Sequence, residues 1–194
     1  IVHVIDRWDY YGENLVQIFA LWNGGIALLG SIIGGFIAGA VYAKMQGYPI
    51  GKLADVTAPA LLIAQSIGRL GDVINGEHVS KVTDFPWGFV YEHPSSLSNQ
   101  VHGLVASHPA VVYEIFWNIL VFAIVWFMRG RIKPDGMLFA LYLSLYSFGR
   151  FFISFLRDDK VWFAGLQEAH IICIILVAIT LPILVYRVQL VERH

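Results

Sequence analysis

Apolar residues in this chain come in long runs rather than in alternation. Five runs approach the roughly 20 helical residues needed to cross a hydrocarbon core: 26–45, 53–70, 111–128, 137–156 and 168–186. Ahead of them, Leu15, Ile18, Phe19 and Trp22 recur at helical spacing within 13–22, a run too short to span. It reads either as a helix lying in the interface or as a loop packed on the bundle. Between the second and third runs, residues 71–107 contain no stretch that could span, and Phe85, Trp87, Phe89 and Tyr91 argue for an ordered cap. The pattern predicts an all-α integral membrane protein. It is a polytopic helix bundle forming one domain over 1–194, with about five transmembrane helices and a small cap on one side.

Composition agrees: hydrophobic residues make up 57%, charged residues 14%, and the mean hydropathy is +0.65. A net charge of −1 gives no indication of nucleic acid, and no nucleic-acid partner is expected. The single cysteine, Cys173, cannot form an intrachain disulfide and reads as a small packing residue. Gly30, Gly34, Gly35 and Gly39 in the first span suit close helix packing, and Pro59 suggests a kink in the second. A start at Ile1-Val2-His3 without methionine reads as a fragment or a processed product.

Orientation follows from basic residues in short loops. Lys44 and Lys52, the Arg129–Lys133 cluster, and Arg187 with Arg193 all fall on one side, the cytoplasmic one. The cap over 71–107 and the Arg157–Lys160 turn are then extracytoplasmic.

The charges inside the spans change the picture most. Arg69 ends the second run and is followed by Asp72, Asn75 and Glu77. In the fourth run Tyr142, Tyr146, Arg150, Ser154 and Arg157 share one helical face. An arginine inside a span is costly unless it meets a partner or a water-filled cavity. Snorkelling to the interface is the plain alternative for Arg69 and Arg157. Two arginines at similar depth need an anion between them. Asp72, Glu77 and Glu114 are candidates as structural counter-ions, and a lipid phosphate is the functional candidate, since a guanidinium binds phosphate bidentately. A transport pathway is the third reading.

Gly68-Arg69-Leu70-Gly71-Asp72-Val73-Ile74-Asn75-Gly76-Glu77 resembles the signature of the prolipoprotein diacylglyceryl transferases. Trp22-Asn23-Gly24-Gly25, Pro86-Trp87-Gly88, His108-Pro109 with Tyr113-Glu114, and Tyr146 through Arg150 to Arg157-Asp158 resemble further motifs of that family, in the family's order. The resemblance implies a multi-pass enzyme of the bacterial plasma (inner) membrane, usually of seven spans, with its active site facing the extracytoplasmic leaflet. Its reaction moves the diacylglyceryl group of phosphatidylglycerol onto the lipobox cysteine of a preprolipoprotein, with membrane lipids as its surroundings and neither metal nor other cofactor. It implies catalytic roles for Arg69, Arg150, Tyr146 and Glu77. Substrate binding falls to Asp72, Asn75, Gly24, Gly25, His108, Tyr113, Glu114 and Arg157.

Four positions depart from the pattern. Leu29 stands where the family commonly has histidine or tyrosine, and Asp72 where it has asparagine. Ser80 replaces the closing glycine, and Ser154 an acid one turn after Arg150. Asp72 can pair with Arg69 or serve as a substitute base. These departures motivate a second reading, a non-catalytic phospholipid-binding relative.

Overall fold

The structure is a computed structural model and describes residues 10, 12, 28–163 and 165–191. The region read as an interfacial helix, together with Gly24 and Gly25, lies outside the described residues. The chain divides into two compact units, Ile1–Ile50 and Gly51–His194. In the first, helix α1 (Leu28–Met45) carries Leu29 on its first turn. It ends where Gly47 adopts a φ of 73°, and the Tyr48 amide donates back to the Ala43 carbonyl at 2.8 Å. Glycine takes that left-handed conformation without the steric cost of a Cβ.

The second unit holds the remaining elements. Helix α2 (Ile50–Asn75) runs beyond the 53–70 expected from hydropathy, so Asp72 and Asn75 lie on its last turn rather than in the cap. After it come α3 (Leu97–His102), α4 (Ala110–Met128), β1 (Ile132–Lys133), α5 (Met137–Ser154), β2 (Val161–Phe163), β3 (Leu166–Gln167), α6 (Glu168–Arg187) and β4 (Gln189–Leu190). Each strand pair is a small antiparallel clasp: β1 with β4, and β2 with β3. Among the described residues four helices, α2, α4, α5 and α6, are long and apolar enough to cross a membrane.

The buried core is narrow. Ala58 and Leu62 from α2 meet Val121 and Val125 from α4 and Leu138 and Tyr142 from α5. Large apolar side chains such as Phe116, Phe127 and Ile179 point outward and are more than half exposed. That exposure suits lipid, the one solvent in which an apolar exterior and internally bonded helices are both stable. An apolar cleft of about 190 Å³ opens on this exterior between α2 and α4, lined by Leu62, Ile63, Ser66, Ile67, Ile119 and Phe122.

Two contacts fix how α5 sits. The Trp117 indole of α4 donates to the Leu145 carbonyl at 2.9 Å, and its ring lies where a Cβ on Gly149 would be. Any larger residue at Gly149 would force α4 and α5 apart. At the opposite end of α5, the Asp55 carboxylate of α2 accepts from the backbone amides of Gly136 at 2.8 Å and Phe139 at 2.9 Å. The cap on the start of α5 is thus lent by another helix. Asp55→Ala should cost about 1–2 kcal/mol, because two partly buried amides lose their acceptor. Denaturant unfolding in detergent micelles checks this.

Candidate functional site

The charged residues gather where three helices end together. Arg69 is near the C-terminus of α2, Glu114 near the N-terminus of α4, and Arg150 near the C-terminus of α5, with Arg157 just beyond it. Antiparallel succession brings these three ends to one side of the unit, while the Asp55 cap lies at the other.

Glu114 is the hub and is 2% exposed. Its Oε2 lies 2.7 Å from Arg69 Nε. Its Oε1 pairs with Arg150 Nη1 and faces Arg157 Nη1 at 3.7 Å. The anion between Arg69 and Arg150 is therefore Glu114 itself, the most buried of the counter-ions the sequence offered. Arg157 is 3% exposed, so it does not snorkel. Its Nε and Nη2 donate to Asp159 at 2.7 and 3.3 Å. Tyr146, one turn before Arg150, lies beside Arg69.

Asp72 does point at Arg69: Nη1 donates to its Oδ2 at 2.7 Å. His78 completes the cluster, although sequence reasoning did not select it. Its Nε2 is 3.2 Å from Asp72 Oδ2 and 3.1 Å from Arg69 Nη1, and its Nδ1 is 2.8 Å from Arg157 Nη2. Local folding explains its arrival. Gly76 turns the chain with a φ of 61°, in a space where a Cβ would strike Ser96 and the Tyr91 ring. The backbone beyond it then pairs with the chain around Arg157: Lys81 donates to Leu156 at 2.9 Å, and Asp158 to Val79 at 3.1 Å. Gln167 of β3 braces the same segment, donating to the Arg157 carbonyl at 2.9 Å.

Three guanidinium charges thus face three carboxylates, Glu114, Asp72 and Asp159. Burial first, then the positive charge of Arg157, hold the His78 imidazole below its ordinary value of 6.5. Arg69 and Arg150 add to this, and Asp72 opposes it. His78 is consequently neutral at neutral pH. Burial alone would raise the Asp159 carboxyl, but the hydrogen bond and charge of Arg157, with Arg150 and His78 behind them, hold it below the usual carboxylate range.

Other expected site residues lie elsewhere. Asn75 donates to Glu77 at 3.0 Å, both are exposed, and neither bonds Arg69 among the described residues. His108 and Tyr113 join an aromatic cluster with Phe85 and Trp87, in which the Trp87 indole donates to the Tyr113 hydroxyl at 2.8 Å. The Pro86-Trp87-Gly88 and His108-to-Glu114 motifs therefore meet in the cap, and only Glu114 reaches the arginines. The Ser154 hydroxyl donates to the Arg150 carbonyl at 2.7 Å, and Ser80 is buried beside the Arg157 strand.

Two outcomes follow. Glu114→Ala leaves buried guanidinium groups facing one another, and should destabilise the protein by about 3–5 kcal/mol in detergent unfolding. His78 protonates more readily in the unfolded chain than in the folded one. Its contribution to stability is therefore intact above pH 6.5 and is lost as pH falls below that value. Asp159 acts with the same sign at lower pH. The melting temperature should fall between pH 7 and 5, and less steeply in His78→Gln.

Comparison with known proteins agrees with the family resemblance. The family model described as prolipoprotein diacylglyceryl transferase matches residues 1–186. Three similar relatives are proteins named phosphatidylglycerol–prolipoprotein diacylglyceryl transferase. The one from Clostridioides difficile is 36% identical over 175 residues, 90% of this chain and 66% of the relative. The one from Listeria innocua is 34% identical over 188 residues, 96% of this chain and 68% of the relative. The one from Thermosynechococcus vestitus is 35% identical over 182 residues, 91% of this chain and 66% of the relative. The chain spans about two thirds of the length of these relatives.

Proposed function

The chain belongs to the prolipoprotein diacylglyceryl transferase family, and on that premise we propose that it transfers the diacylglyceryl group of phosphatidylglycerol to the cysteine thiol of a prolipoprotein lipobox. The observation that carries the reading is the gathering of Arg69, Arg150 and Arg157 around Glu114 at one end of apolar helices. A phosphodiester bears one negative charge over two non-bridging oxygens, which a planar guanidinium fork can bind together. Each guanidinium has five N–H donors, and Glu114 uses one nitrogen of each, leaving donors for a second anion.

In the mechanism the arginines hold the headgroup phosphate and stabilise the charge that grows on it as the glyceryl carbon–oxygen bond breaks. Tyr146, beside the Arg69 guanidinium, offers its hydroxyl to the same phosphate. Glu114 keeps Arg69 and Arg150 apart at a fixed spacing, so binding needs little reorganisation. The cleft between α2 and α4 lies one turn along α2 from Arg69, and takes an acyl chain of the same lipid. The peptide thiol approaches the glyceryl carbon on the side opposite the departing phosphate. The reading takes this chemistry to the extracytoplasmic face of a bacterial plasma membrane, as the basic short loops suggest, and offers Asn75, Glu77, His108 and Tyr113 to the glycerol or the peptide.

The test is mass spectrometry of a synthetic lipobox peptide incubated with the protein in phosphatidylglycerol vesicles. A mass increase of one diacylglyceryl group is expected, and an unmodified peptide sinks the reading. Arg69→Ala and Arg150→Ala should each lower kcat roughly 100- to 1,000-fold, as loss of a charge-stabilising donor does.

A further inference from the structure

We propose that His78, oriented by Asp72, takes the proton from the acceptor thiol and returns it to the departing glycerol phosphate. The inference rests on the transfer reading above and names the residue that moves the proton in it. The thiolate is the nucleophile, whereas a free thiol ionises only near pH 8.5, at about the ordinary cysteine value. A proton acceptor beside the phosphate site is therefore required.

The geometry supplies one. Arginine can only donate, so His78 Nδ1, 2.8 Å from Arg157 Nη2, carries no proton. Nε2 lies 3.1 Å from Arg69 Nη1 as well as 3.2 Å from Asp72 Oδ2. Among the described residues Asp72 is the one acceptor beside either ring nitrogen, so the single ring proton of the neutral imidazole is assigned to Nε2. A carboxylate on one ring nitrogen and a lone pair on the other is the arrangement of a general base and its orienting acid. The ring is partly open, its side chain 28% exposed. The charged groups facing it are Asp72 and Arg69 from α2, Arg150 from α5, and Arg157 and Asp159 from the segment after α5. Burial and Arg157 keep the imidazole neutral at neutral pH, ready to accept. Among the described histidines His78 alone lies within hydrogen-bond distance of the arginine cluster. His170 is wedged against Phe155 at 4.3 Å and accepts the Gln167 amide, and His108 sits in the aromatic cap cluster.

In the structure Arg157 covers the Nδ1 lone pair. An anion among the guanidinium groups competes for that same Nη2 while Asp159 keeps the rest of Arg157 in place. Phosphate binding thereby uncovers the base. The thiol proton then passes to Nδ1, and the sulfur pair forms a bond to the glyceryl carbon. The carbon–oxygen pair leaves with the phosphate, and the imidazolium protonates that phosphate. A phosphodiester monoanion and a thiol become a thioether and a glycerol phosphate monoanion, and His78 is neutral again.

His78→Gln, in the full protein in phosphatidylglycerol vesicles with a lipobox peptide, is the test. At pH 7 kcat should fall roughly 100-fold or more, with KM for phosphatidylglycerol nearly unchanged. The deficit should shrink above about pH 8.5, where the thiol ionises unaided. The wild-type rate should decline below pH 6.5 as His78 protonates, and Asp72→Asn should shift that decline to lower pH, because Asp72 raises the basicity of the ring. A raised KM with preserved kcat, or a loss independent of pH, means that His78 only ties Arg69 to Arg157 and overturns the proposal. Should His78→Gln fail to fold, a wild-type rate flat from pH 7 to 5 overturns it equally. An inert wild-type protein overturns the transfer reading and this proposal together, whereas an active one with an unaffected variant overturns this proposal alone.

Discussion

A single buried carboxylate, Glu114, makes it possible for three arginines to occupy one end of an otherwise apolar bundle. Guanidinium groups this close repel one another, and stripping water from them costs several kcal/mol each. Glu114 offsets both costs with its two oxygens, one directed at Arg69 and the other at Arg150 and Arg157. Asp72 and Asp159 neutralise the outer edges of the same group. The result is a charged site that is nearly neutral in sum yet dense in donors. A buried array of this kind binds an anion selectively without drawing every negative group on the surface toward it.

The fold contributes position more than energy. The ends of α4 and α5 coincide because a short connection makes them antiparallel neighbours, and Trp117 against Gly149 brings the two close enough for Glu114 to reach Arg150. At the other end, Asp55 locks the start of α5 to α2. Rotation of α5 about its axis would break both contacts at once, so Tyr146 and Arg150 are held on the inward face. Beyond the helices, the pairing of residues 79–81 with 156–158 is what carries His78 to Arg157.

The four apolar helices α2, α4, α5 and α6 were legible because hydropathy is a property of long runs, and the inward face of α5 was legible because four-residue spacing survives for the length of a helix. Arg69, Arg150 and Arg157 stood out for the same reason: a charge in an apolar run demands a partner. The identity of that partner was not legible. Glu114 sits near the start of a different helix, and nothing local separates it from Asp72 or Glu77. Glu77 was selected with the motif, yet beyond Gly76 the chain leaves the helix, so spacing along the sequence no longer says what faces Arg69. His78 was overlooked for that very reason. It lies six residues after Asp72 across a turn, and only the pairing with the Arg157 segment joins the two. The departures of this chain from its family's pattern also read differently in three dimensions. Asp72, where the resemblance leads one to expect asparagine, lies against an imidazole.

The balance of three guanidinium groups against three carboxylates, with a neutral imidazole among them, has a consequence in linkage. An arriving phosphodiester adds a negative charge to a cluster with no net charge to meet it, so every proton-binding group nearby is held more tightly once the anion is seated. His78 is the group best placed to respond, and by thermodynamic reciprocity whatever anion binding does for its basicity, protonation does for anion affinity. The free protein therefore keeps a weak base, and the lipid complex holds a stronger one.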